Sequence, residues 1–85
     1  MRIWGIMKKK QKIKREYIVE ANTLTQAVHL VCEGTDTAHP MLLPRHERDF
    51  DAFGRAVFRP DEFVEAFPFD ALEIIDITPK EEDRA

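Results

Sequence analysis

Apolar residues alternate with polar ones near both ends of the chain and recur at helical spacing in between. Ile3, Trp4, Ile6 and Met7 form a β-prone opening run. Ile13, Tyr17 and Val19 then alternate with Lys14, Glu16, Ile18 and Glu20, roughly the period of a strand with one buried face. The polar "KKKQK" of residues 8–12 reads as the connection of a hairpin. It lacks the Asn-Gly or Asp-Gly of a tight primed turn, so nothing local sets the register. Next, Thr23 and Gln26 fit a capping box at a helix start. Leu24, Ala27, Val28 and Val31 follow at i, i+3, i+4 and i+7, which predicts an amphipathic helix laid across the hairpin and stopped by Gly34.

The middle of the chain is less regular. "TDTAHPMLLP" has two prolines around an apolar centre, and Met41, Leu42 and Leu43 are expected to tuck against the core. Pro44 opens and Gly54 closes a short second helix with His46, Phe50 and Phe53 on one face. "RAVF" reads as a short strand and "PDEFVEAF" as one helical turn with Phe63, Val64 and Phe67 inward. "LEIIDI" is apolar and β-branched, as a central strand is. The expected fold is α+β: an N-terminal β-hairpin, an amphipathic helix across it, a short second helix, and a C-terminal strand completing a small antiparallel or mixed sheet. Residues 1–78 make one domain, and residues 79–85 a polar tail.

Composition narrows the class. Apolar residues are 44% of the chain and charged ones 34%, which favours a globular domain over a disordered one. Cys32 is the single cysteine, so no disulfide staples the chain, and a reducing compartment is expected. No apolar run is long enough to span a bilayer, and residues 1–5 lack the apolar core of a signal peptide, which predicts a cytoplasmic protein without membrane contact. The net charge of −3 is unevenly placed. Residues 1–15 carry seven Lys/Arg and no acid, whereas residues 16–85 carry six Lys/Arg and sixteen acids. A basic tip on an acidic body argues against whole-surface attraction to nucleic acid and allows head-to-tail contact between molecules.

Four places carry candidate chemistry. Lys8, Lys9, Lys10, Lys12, Lys14 and Arg15 would meet several phosphates if they shared one tip, although no aromatic residues are interleaved with them for base stacking. His29 and Cys32, with His39 and His46 downstream, are metal-ligand types, but their spacing lacks the paired ligands of zinc sites, and no metal or other cofactor is assigned. Cys32 as a nucleophile is disfavoured at the negative end of a helix dipole. His46, Arg55 and Arg59 would form an anion pocket if the 55–59 segment were extended and both arginines faced one way. The alternative is that Arg45, Arg48, Arg55 and Arg59 pair with nearby Glu47, Asp49, Asp51 and Asp61, as arginines commonly do with carboxylates. No catalytic residue is assigned, and the balance is against an enzyme.

"MRIWG", "LPRHERDFDAFGRAVFRPDEFVE" and "FDALEI" together resemble a family of small uncharacterised bacterial proteins of similar length. The resemblance implies a bacterial source and brings no activity, cofactor or partner with it. Three functional readings follow. The leading one is a non-catalytic protein–protein interaction module, through an unidentified partner or self-association. The alternative is a nucleic-acid or phosphate-binding module using the basic hairpin tip. The third is a small hydrolase or metal-dependent enzyme built on His46, Arg55 and Arg59.

Overall fold

A computed structural model describes residues 1–79, so the tail expected over 79–85 lies, from residue 80 on, outside the described residues. The order along the chain is β1 (Arg2–Lys9), β2 (Lys12–Glu20), α1 (Leu24–Gly34), α2 (Pro44–Phe53), β3 (Arg55–Phe58), a 3-10 turn (Pro60–Glu62) and β4 (Ala71–Asp76). The strands form one antiparallel sheet in the order β2-β1-β4-β3. This is the α+β architecture the sequence implies. The C-terminal strand inserts between β1 and β3, and β2 is left as an edge.

The hairpin turns on Lys10 and Gln11, both at positive φ (53° and 64°), a primed-type turn built without Asn or Gly. Its register is held from the next strand connection. The Asp70 carboxylate accepts the Lys10 N–H at 2.7 Å, and the Asp70 N–H donates to the Lys8 carbonyl at 2.7 Å.

Helix α1 covers one face of the sheet. Its cap is the one expected: Thr23 Oγ1 accepts the Gln26 N–H at 3.1 Å, while Gln26 Oε1 accepts the Asn22 N–H at 2.8 Å. Leu24, Ala27, Val28, Val31 and Cys32 are buried against Ile3, Met7, Leu72 and Ile74. Two glycines set how closely the layers approach. A Cβ on Gly5 would lie 2.5 Å from Val31 Cγ1, and one on Gly34 would run into the Tyr17 ring. Gly34 therefore makes room for an aromatic ring, and the left-handed residue after the helix is Asp36 (φ 54°). Helix α2 ends at Gly54 in the left-handed conformation (φ 70°), whose N–H donates to the Phe50 carbonyl at 2.8 Å.

Several expected burials do not occur. Tyr17 is 43% exposed because β2 is an edge that α1 covers only in part, and Ile13 is 45% exposed because the register shift in the hairpin sets it opposite Lys8, on the face away from α1. Phe53 (79%) and Val64 (82%) face outward, since among the described residues nothing packs beyond the last turn of α2 and the helical turn stops at Glu62. Met41 is also exposed, although its N–H donates to the Glu62 carbonyl at 2.7 Å. Phe50, Phe58, Phe63 and Phe67 are the aromatic core, the last two stacked at 3.9 Å.

The Gly5 contact makes a stability prediction. Gly5→Ala is expected to cost about 1–3 kcal/mol by overpacking against Val31. Adding Val31→Ala to Gly5→Ala should cost less than Val31→Ala does in the wild-type chain, read as non-additivity in a urea-unfolding double-mutant cycle. Additive costs would show that the close approach does not limit packing.

Candidate functional site

The basic run is divided between the two sides of the hairpin. Lys8 Nζ lies 3.1 Å from Glu73 Oε2 on the face that no helix covers. Lys9 donates to the Pro68 carbonyl at 3.1 Å. Arg15 faces the other way: it donates to the Thr35 carbonyl at 2.7 Å and stands over the Phe69 ring at 5.5 Å. Among the described residues no ion pair holds Lys10, Lys12 or Lys14. The six charges thus do not share one phosphate-facing surface.

His46, Arg55 and Arg59 do not converge on a pocket. His46 occupies the third position of α2, where a Glu or Gln would close a capping box. Its Nδ1 accepts the Leu43 N–H at 2.9 Å, which places the proton on Nε2, and Nε2 donates to Glu62 Oε1 at 3.1 Å. The ring is fully buried and stacks on Phe58 at 4.0 Å. Glu62 Oε1 also accepts the Arg59 N–H at 2.8 Å, and Glu62 Oε2 pairs with Arg45. Burial lowers the His46 pKa from 6.5, the Arg45 charge lowers it further, and Asp49 opposes both. A neutral imidazole with both nitrogens bonded to its own chain is a structural bridge between α2 and the 3-10 turn.

Arg55 lies across the sheet from His46. Phe58, which stacks on His46, and Ala56 face the helices, so strand alternation turns Arg55 and Val57 to the open face. There the Arg55 Nε and Nη2 both donate to Glu73 Oε1, at 3.1 and 2.9 Å. Glu73 sits between Lys8 and Arg55 and is 6% exposed, a carboxylate satisfied by two cations from neighbouring strands. Arg59 contributes its main chain to the Glu62 bond; among the described residues its guanidinium makes no ion pair. The arginines find partners far along the chain, Glu62 and Glu73, more than the neighbouring acids the sequence suggests. Only Arg48 leans on one of those, Asp49, at 3.8 Å. Cys32 is fully buried, and burial followed by the Glu33 charge pushes its thiol up to about 11, so it is not a poised nucleophile.

Among the described residues β2 and the shorter β3 are the sheet's edges, and β2 is the longer, with an open sheet face beneath it. Residues 12–18 of β2 and Glu20 are exposed, and Val19 is half-buried. Ile18, on the uncovered face, is 59% exposed beside Trp4, whose indole N–H donates to Glu16 Oε1 at 3.0 Å. Tyr17 and Val19, on the other face, border a groove of about 470 Å³ closed on its far side by Leu30, Glu33 and Gly34 of α1. The alternation of residues 13–20 marks this strand in the sequence but not that its partner side is empty. Among the described residues no helix is long and apolar enough to cross a membrane. Compared with known proteins, the chain matches no family model, no curated sequence and no solved structure.

A pH effect follows from His46. Its folded pKa lies below its unfolded value, so the unfolded chain takes up the proton first. Stability is therefore complete above about pH 6.5 and falls as pH drops below it. His46→Gln keeps an acceptor for the Leu43 N–H and a donor for Glu62 without titrating in this range. Urea unfolding between about pH 7.5 and 5 should show a smaller acid loss in His46→Gln than in the wild type. Equal slopes would show that the ring is not held neutral.

Proposed function

We propose that the protein is a non-catalytic protein–protein interaction module that works through the outer edge of β2, with a second copy of the chain as its occupant. The observation that carries this reading is β2 itself: nine residues long, unpaired on one side among the described residues, with Ile13, Tyr17 and Ile18 exposed along it. A strand of that length offers about 30 Å of free backbone donors and acceptors, which an added strand satisfies. The groove between β2 and α1 gives the added strand's side chains a place to lie.

Charge selects the occupant and its direction. Lys12, Lys14 and Arg15 fill the first half of β2, Glu16 is its midpoint and Glu20 its last residue. Antiparallel pairing of two β2 strands about that midpoint sets Lys12 of each against Glu20 of the other and Glu16 against its own copy, while in-register parallel pairing sets every charge against its like. Edge lysines and the irregular register beside Lys8 ordinarily discourage strand addition, and here they leave the chain's own antiparallel copy as the favoured match. Such a pair would be one continuous eight-stranded sheet. The setting is the bacterial cytoplasm, in keeping with a lone, buried, free cysteine.

The nucleic-acid reading has less support, because Lys8, Lys9 and Arg15 are engaged within the chain and point to different sides. An enzyme on His46, Arg55 and Arg59 has none from the geometry, since the three do not meet.

Sedimentation velocity over a concentration series is expected to show a monomer–dimer equilibrium that weakens as salt rises. Ile18→Lys, at a site already exposed, should shift it to monomer with the fold unchanged by circular dichroism. A chain that stays monomeric to about 1 mM, the weak end of specific association, would rule out the second copy as occupant.

A further inference from the structure

His29 and Glu33 stand one turn apart on the exposed face of α1, and the chain beyond the helix brings His39 back to them. One ligand atom from each of the three lies within 4.8 Å of the others. His39 Nε2 is 3.6 Å from Glu33 Oε2, and the His29 and His39 rings are 5.3 Å apart between centroids. We propose that His29, Glu33 and His39 bind one zinc ion, a site that shares Glu33 with the wall of the groove beside β2 but does not rest on the reading of that edge.

The donor set suits that cation. Two imidazole nitrogens and one carboxylate oxygen are zinc ligands, whereas magnesium and calcium take oxygen. Zinc lies about 2.0–2.2 Å from such atoms, so tetrahedral ligands stand about 3.4 Å apart. The ligand atoms must close in from their present spacing of up to 4.8 Å, and all three side chains are exposed and so have room to adjust. The backbone itself is fixed on both sides of His39. Thr37 donates its N–H to the Cys32 carbonyl at 2.9 Å, and Pro40 bridges to Phe63. The third ligand is therefore held beside the helix before any ion arrives, which reduces the ordering cost that weakens sites assembled from loose chain.

Three protein ligands leave a fourth position, which water would take. It opens beside a small, mostly apolar recess of about 180 Å³ lined by Val28, Pro40 and Leu42 together with both histidines. Cys32, one turn along the same helix from His29, is excluded as a ligand because it is fully buried in the core. Binding would clip the segment after α1 to the helix that precedes it.

Isothermal titration of zinc into the full chain, without an affinity tag, should give one equivalent per chain. His39→Ala and Glu33→Gln change exposed side chains, and each should weaken binding by at least about 10-fold, the smallest loss typical even of outer-shell partners. Cobalt provides a second readout: the wild type should show visible bands of low coordination number and no thiolate charge-transfer band, and His39→Ala should lose the former. Absence of binding up to about 1 mM, equal affinity in both variants, half an equivalent per chain, or a thiolate band would each overturn the site.

Discussion

The approach of α1 to the sheet at Gly5 is the constraint on which the rest of the molecule depends. With no Cβ there, Val31 seats directly on β1, and the helix centres over the β1–β2 half of the sheet. A chain of 85 residues then has only ten left in α2 to cover the β3–β4 half, and just His46 and Phe50 of that helix are buried. The shortage of apolar surface is met by Phe58 and by a polar network rather than by more aliphatic side chains. His46 takes the place of a core residue, and every bond it needs comes from Leu43 and Glu62. A buried imidazole is tolerable on these terms because, among the described residues, no buried side-chain nitrogen or oxygen is left unpaired.

The parts of this arrangement that depend on neighbours in sequence were legible in it. The Thr23–Gln26 cap, the apolar stripe of α1, and the Pro44 to Gly54 bounds of α2 are local signals, and each element stands where those signals put it. Periodicity also marked β2, but a period shows which residues share a face, not whether anything covers it, hence the exposed Tyr17. Phe53 and Val64 fail for the same reason at the ends of their elements. The register shift beside Lys8 breaks the period and turns Ile13 to the other face.

The candidate pocket was misplaced because its geometry is non-local. Arg55 and His46 are nine positions apart and on opposite faces of the sheet, a consequence of strand alternation between Arg55 and Phe58. Their carboxylate partners, Glu73 and Glu62, are 18 and 16 residues away and give no sequence signal. The hairpin turn is similar: Asp70, 60 residues from Lys10, holds a turn that "KKKQK" does not specify. The histidine cluster is also non-local in part, with His29 and Glu33 readable as a helical pair and His39 arriving only through the fold.

With the buried charges satisfied from within, what the chain offers outward is the β2 edge, and its pairing with a second copy is the central functional claim. Amide hydrogen exchange of β2 at low and high protein concentration tests it most directly, because strand addition protects outward-facing N–H groups of an edge that water otherwise reaches. The account predicts that β2 amides gain protection with concentration while β3, the opposite edge, does not change. Concentration-independent exchange along the whole of β2 would contradict it.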